Sequence, residues 1–247
     1  MVLLCWDDEE DLEAALASVA ASEGVDARAF VVDNGSEVPA RPAAPGTVVL
    51  LRNPANRGVA AGRNQGAALG RAPWVCFLDA DARLAPDCLA RLVGALRAAP
   101  RAALAAPVFV GQTPADSAGL SPGARDKLAR LVSRRRPYSA PPGMGRGPAW
   151  EVDFAIGACQ LVRRACFEAV GGFDEAYFYG PEDLDLCLRL RLAGWSVLQV
   201  AAARCWHLPR RRHRSLARPA GLRHARAVAR HLWRSRGARR ELARVAG

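Results

Sequence analysis

Trp74-Val75-Cys76-Phe77-Leu78-Asp79-Ala80-Asp81 is the stretch on which the reading of this chain turns, because an apolar run ends there in two carboxylates one residue apart. Period-two spacing sets Asp79 and Asp81 on one side of an extended backbone, within reach of a hard cation or its waters. Asp also favours the turn that closes a strand, so Asp-x-Asp by itself fits a capped turn as well. The residues that accompany the motif decide between the two.

Before it, three short apolar runs read as strands: Val2 to Trp6, Ala29 to Val32 and Val48 to Leu51. The acids Asp7 to Asp11 open a helix whose apolar stripe is Leu12, Ala15, Leu16 and Val19. A second helix runs from about Val59 to Leu69, and a third, after the motif, from Pro86 to about Ala98. Strands alternating with helices through short loops predict an α/β fold with a mostly parallel central sheet and helices on both faces. Ligands in such sheets bind at the carboxyl ends of the strands. Asp33 follows the second strand, Asn56 and Arg57 the third, and Asp79 and Asp81 the fourth, so one crevice should gather them all. Carboxylates, Arg, Asn and the glycine at Gly58 suit a nucleoside diphosphate with Mg²⁺ or Mn²⁺ bridging carboxylate and phosphate oxygens.

With 247 residues, 51% apolar and 24% charged, the chain is globular in composition. No run approaches the about 20 apolar residues that span a bilayer, and Met1 leads straight into a strand without a basic leader; a cytoplasmic location is the expectation. The seven cysteines are scattered, form no Cys-x-x-Cys pair and read as reduced, buried small hydrophobes. The net charge of +11 is concentrated at one end: Arg204 to Gly247 holds fourteen Arg against Glu241 alone, so the rest sums to about −2.

After Val110 the alternation stops, and Gln112 to Pro148 is rich in Pro, Gly, Ser and Arg, with a short helix expected around Ala124 to Val132. Order returns at Trp150, with a strand from Ile156 to Val162, a helical turn or two from Arg164 to Val170, and a helix from Glu182 to about Ala193. Glu182, Asp183 and Asp185 crowd the first turn of that helix, where the dipole favours them. Phe173, Tyr177, Phe178 and Tyr179 stand beside these acids, and rings with carboxylates are a sugar-binding combination.

Together these residues resemble the family 2 inverting glycosyltransferases of the GT-A fold, especially the bacterial rhamnosyltransferase-like branch. The resemblance runs from Val2 to about His207 through Val31-Val32-Asp33-Asn34-Gly35-Ser36, Asn56-Arg57-Gly58, Gly62-Arg63-Asn64-Gln65-Gly66 and Leu78-Asp79-Ala80-Asp81. Gly157-Ala158-Cys159, Gly171-Gly172-Phe173-Asp174-Glu175 and Glu182-Asp183-Leu184-Asp185 complete it. It implies that Asp33 bonds a pyrimidine base, that Asn56, Gly58, Arg63 and Asn64 lie near base and diphosphate, and that Asp79 and Asp81 form the donor motif. Asp81, with His207, would be the metal ligand. Asp183 would be the general base, with Glu182, Asp153 and Phe178 on the acceptor side. Residues 1–110 would then be the nucleotide-sugar half, 111–150 a variable loop or lid, and 151–207 the acceptor and base half. A dTDP-rhamnose or UDP-sugar donor and a saccharide or lipid-linked acceptor both fit.

Residues 208–247 read as a basic amphipathic helical tail, with Leu222, Ala225, Ala229 and Leu232 in a stripe beside Val228 and Trp233, and Arg at 223, 226, 230 and 234. Such a helix suits an anionic membrane surface, at the inner face of the cell membrane, or packs on the body and shows its Arg face to water. Nucleic-acid binding is the competing class suggested by the sequence pI of 10.3, but no nucleic-acid module is present and the charge is confined to the tail, so no nucleic-acid partner is expected. A nucleotidyltransferase shares the alternating pattern, yet its triphosphate would face the acidic loop Asp7 to Asp11.

Overall fold

The computed structural model describes residues 1–43, 48–121, 138–207 and 226–235. In chain order these form β1 (Val2–Cys5), α1 (Glu9–Ala20), β2 (Ala29–Asp33), β3 (Val48–Arg52), α2 (Val59–Ala68), β4 (Trp74–Asp79), β5 (Ala82–Leu84) and α3 (Cys88–Ala98). There follow β6 (Ala102–Phe109), α4 (Pro114–Ser117), β7 (Ala118–Gly119), β8 (Ala149–Val152), β9 (Phe154–Ala155), β10 (Cys159–Arg163), α5 (Arg164–Ala169), α6 (Glu182–Leu192) and β11 (Ser196–His207). A last helix, α7, covers 226–235. The helix expected at 124–132 and the tail stripe residues Leu222 and Ala225 lie outside the described residues.

Among the described residues one nine-stranded sheet runs in the order β3-β2-β1-β4-β10-β6-β11-β5, with β8 also on β11. The first four strands are parallel. Beyond β4 the sheet is mixed: β10 is antiparallel to β4 and β6, whereas β11 is parallel to β6 and antiparallel to β5 and β8. The expected parallel sheet is therefore its first half only. One face packs α1 and α3 through Leu12, Leu16, Leu89, Leu92 and Leu96, and the other packs α2, α5 and α6 through Ala60, Ala67, Phe167, Leu186 and Leu190. The sheet is covered on both faces, which is why its strands are continuous apolar runs without alternation. All seven cysteines are free and buried. The thiol of Cys159 meets those of Cys205, Cys76 and Cys88, and these contacts, with burial, push its pKa well up. At neutral pH it is an uncharged apolar filler, as the sequence suggests.

Besides the short β5, β7, β8 and β9, two long strands escape the sequence reading. β6 is Ala-Ala-Leu-Ala-Ala-Pro-Val-Phe, buried at every position and half alanine, a helix-favouring residue, so little in it locally marks an extended strand. β11 is twelve residues long and shifts register between Val200 and Arg204. Its first half thus pairs with β8, while its end pairs with β5, placing His207 opposite Ala82. That register carries a residue from the end of the described body to within one position of Asp81.

The fully buried Gln199 on β11 secures the segment after β6. Its Oε1 accepts from Trp150 Nε1 at 3.0 Å, and its Nε2 donates to Ser117 Oγ at 3.0 Å and to the Pro114 carbonyl at 3.2 Å. Replacing Gln199 by Leu strands these groups in the interior. The variant should lose about 1–3 kcal/mol in urea unfolding, with an unchanged slope against denaturant.

Candidate active site

The carboxyl ends of β1, β2, β3 and β4 lie on one edge: Cys5 pairs with Asp33, Asp33 with Arg52, and Leu4 with Asp79. The sheet thus gathers the expected residues by their backbones, but their side chains divide into two groups.

The first group builds loops. Asp33 is fully buried, and its carboxylate accepts from the Ser36 amide at 2.9 Å, the Ala40 amide at 3.1 Å and Arg52 Nη1 at 2.6 Å. Burial opposes its charge, but the amides and Arg52 prevail and hold its pKa below the ordinary value. Its oxygens bond the 36–40 turn and Arg52. Asn56 Oδ1 accepts from Asn34 Nδ2 and the Gly58 amide. Gly58 has φ 89°, and a Cβ there would stand 2.7 Å from the Phe178 carbonyl oxygen, which accepts from Val59 N at 2.7 Å. Asn64, expected near base and diphosphate, instead grips Phe173: its Oδ1 accepts from the Phe173 amide at 2.9 Å, and its Nδ2 donates to the Phe173 carbonyl at 2.9 Å and to Glu175 Oε1 at 3.0 Å. It lies one helical step from Arg63, about 100° around α2, and so faces the loop rather than the strand ends. Asp153, expected on the acceptor side, pairs with Arg191 at 2.8 Å and accepts from the Ser121 amide at 2.8 Å, which makes it a tie between α6 and the segment after β7.

The second group converges. Arg63 is 4% exposed. Its Nη2 donates to Asp79 Oδ1 at 2.6 Å and to the Gly157 carbonyl at 2.9 Å, and its Nη1 donates to Glu182 Oε1 at 3.2 Å. Its Cζ lies 5.5 Å from the ring centre of Phe173, which packs edge-on to Phe77 of β4. Gly157 is a cradle for this group, since a Cβ there would fall 2.6 Å from Arg63 Nη1. The Gly157 amide donates to Asp183 Oδ2 at 2.9 Å, and Asp183 Oδ1 accepts from the Leu184 amide at 2.8 Å. Hydrogen bonds on either side of the Gly157 backbone therefore link Asp79, through Arg63, to Asp183. The sequence contains Gly157 and Phe173 within recognisable motifs, but their service to a buried guanidinium is visible only in three dimensions.

Asp79, Asp81 and His207 are each half-buried and offer ligand atoms within 4.8 Å of one another; His207 Nε2 is 3.5 Å from Asp81 Oδ1. Two carboxylates and an imidazole are a donor set suited to Mn²⁺ or Mg²⁺. Charge points the same way, because Asp79, Glu182 and Asp183 all act on the buried Arg63, and Asp81 adds a further carboxylate beside His207. Burial lowers the preference of Arg63 for its charged form, yet Asp79 and Glu182 outweigh it and raise its pKa. Burial, then the charge of Asp183, push Glu182 up to about 7 against the pull of Arg63. Burial likewise raises Asp183 against Arg63 and its two amides. Glu182 Oε2 is buried without a hydrogen-bond partner.

The family model for glycosyl transferase family 2 matches residues 2–171. Among curated relatives, the rhamnosyltransferase WbbL of Escherichia coli K12 is 41% identical over 85 residues, covering 34% of this chain and 32% of its own. An N-acetylglucosaminyl-diphospho-decaprenol L-rhamnosyltransferase of Mycobacterium tuberculosis is 50% identical over 56 residues, 23% of this chain and 18% of its own. The pre-mycofactocin glycosyltransferase of that organism is 32% identical over 171 residues, 68% of this chain and 34% of its own. The matches span between 18% and 34% of these relatives' lengths. Of solved structures, GalNAc-T7 with UDP, GalNAc and Mn²⁺ superposes with a TM-score of 0.69 at 16% identity, over 92% of this chain and 47% of that one. The mannosyltransferase PcManGT of Pyrobaculum calidifontis with GDP-Man and Mn²⁺ gives 0.63 at 17%, over 95% and 62%. The mixed sheet between helical layers is the GT-A fold of these structures.

Folded Glu182 holds its proton up to about 7, whereas the unfolded chain releases it near 4.5. This contribution is full below 4.5 and is lost as pH rises through 7. In EDTA the melting temperature should fall by a few degrees between about pH 5 and pH 8. Glu182→Gln should flatten that slope in a calorimetric pH series.

Proposed function

The chain belongs to glycosyltransferase family 2, and from that premise we propose that it transfers a sugar from a nucleoside-diphosphate donor to a hydroxyl acceptor with inversion at the anomeric carbon. The observation that carries this reading is the bonded path from the Asp79–Asp81–His207 cluster through Arg63 and Gly157 to Asp183. It supports a two-part site, with the diphosphate held at one end and a base at the other. The donor half is residues 1–110, the base half residues 151–207, and residues 111–150 the variable loop between them.

In the proposed step Asp183 takes the proton of the acceptor hydroxyl as its oxygen attacks the anomeric carbon. The new C–O bond forms while the bond to the diphosphate breaks, and the bonding pair leaves with that group. Attack opposite the leaving group inverts the carbon in one displacement. The raised pKa of Asp183 makes it a stronger base than an exposed Asp. The unpartnered Glu182 Oε2 is the acceptor for a sugar hydroxyl, since a buried oxygen without a partner is costly to leave so. Mn²⁺ or Mg²⁺, when held by Asp79, Asp81 and His207, supplies positive charge to the departing diphosphate. Asp33 and Asn56 serve by shaping the loops that receive the base. Phe178, whose carbonyl anchors α2, offers its ring on the acceptor side.

The curated rhamnosyltransferases support dTDP-rhamnose as donor, and the decaprenol relative supports a lipid-linked acceptor. Trp233, 78% exposed on α7, with the exposed Arg226 two turns before it, supports contact of this face with an anionic bilayer at the inner face of the cell membrane. Pelleting with phosphatidylglycerol vesicles should weaken in Trp233→Ala; equal pelleting removes the membrane contact.

The central test is a melting series with UDP, dTDP or GDP, with and without Mn²⁺, followed by transfer assays. One nucleotide should stabilise the wild type only with Mn²⁺. Asp81→Ala and His207→Ala should abolish that shift. Asp183→Asn should keep it while turnover falls about 100-fold or more. Equal, mild losses in all three variants would place the reaction elsewhere.

A further inference from the structure

We infer that Arg234, assisted by Arg230, is a positioning residue for the proposed transfer: from α7 it locks the acceptor-side loop 173–181 to the helix that begins with Glu182 and Asp183. The inference rests on the reading of Asp183 as base, but its geometry stands apart from that reading.

Arg234 Nη1 donates to two carboxylates from different segments, Asp174 Oδ2 at 2.8 Å in the loop and Asp185 Oδ1 at 3.0 Å on α6. Arg230 Nη2 adds a bond to Asp174 Oδ2 at 3.1 Å, and its guanidinium carbon lies 5.9 Å from the ring centre of Tyr177. Asp185 is fully buried two positions beyond Asp183. It also accepts from Tyr177 Oη at 3.0 Å and from Arg189 Nε at 2.7 Å, and Arg189 in turn donates to the Val170 carbonyl at 2.6 Å. The loop, the first turns of α6 and α7 thus share one charged knot.

The knot has a mechanical consequence. Loop 173–181 is fastened to α2 at Phe173 by Asn64 and at Phe178 by the Val59 amide. Between those points the link from Asp174 to α6 runs through Arg234. Ala176 and Phe178 then meet Ala227, Arg226 and Arg230 around a cleft of about 480 Å³, so α7 also walls the loop's outer side. A residue that fixes Asp174 against Asp185 fixes the Phe178 loop against the turn carrying the base.

Hydrogen exchange by mass spectrometry on the full chain, with transfer to a synthetic prenyl-diphosphate-linked N-acetylglucosamine, tests this. In Arg230→Ala/Arg234→Ala, amides of 173–181 should exchange about tenfold faster, while 74–84 keep their protection. Asp174→Asn removes the shared partner without touching α7 and should do the same, and it decides the matter if the double variant does not fold. The acceptor KM should rise about tenfold with kcat and the nucleotide–Mn²⁺ melting shift kept, and Arg234→Lys should recover part of it. Unchanged exchange at 173–181 in Asp174→Asn overturns the inference, as does a kcat loss at constant acceptor KM. If the wild type transfers nothing to any acceptor, the functional reading fails, and exchange alone still judges the lock.

Discussion

A guanidinium that folding removes from water has to find anionic partners, and Arg63 finds them on three segments far apart in sequence. Asp79 ends β4, Glu182 begins α6, and the Gly157 carbonyl belongs to the turn before β10. A buried charge without partners costs several kcal/mol, so these segments are not free to drift independently once Arg63 is in place. Two local choices admit it: a glycine where a Cβ would collide, and the Phe173 ring across which the cation lies. Asp79 and Asp183 are thereby held in one frame.

The frame is unbalanced in charge. Three carboxylates, Asp79, Glu182 and Asp183, act on one arginine, and the imbalance appears as raised pKa values at Glu182 and Asp183 together with a Glu182 oxygen lacking a partner. In the proposed reading, a divalent cation at the Asp79–Asp81–His207 end and a hydroxyl at the Glu182–Asp183 end are the two additions that would relieve it. Perturbed, buried carboxylates of this kind cluster at functional sites, and here they support the proposed reading.

The basic tail shows how charge counts mislead when geometry is unknown. Its arginines read as an outward-facing stripe, yet α7 turns Ala227, His231 and Ser235 inward and leaves Ala229 and Trp233 exposed. Arg230 and Arg234 pair with Asp174 and Asp185 instead of lying free for a polyanion. Of the predicted stripe, Ala229 is exposed and Leu232 half-buried, while Leu222 and Ala225 lie outside the described residues.

The sequence by itself determined the alternating half of the fold, from β1 through α3, and the edge at which Asp33, Asn56, Asp79 and Asp81 emerge, because those depend on local periodicity and strand polarity. It also singled out Asp183 and His207 through their motifs. Tertiary structure decided which atoms face which. Asn64 and Arg63 are neighbours in one motif, but one degree of helical rotation after another, about 100° in all, sends Asn64 to the loop and Arg63 to the strand ends. β6 and β11 carry little local signature of extension, being specified by burial between neighbouring strands, and it is the register of β11 on β5 that brings His207 beside Asp81. Side-chain direction and long-range register are set by packing and by the cost of unpaired charge, neither of which a linear pattern encodes.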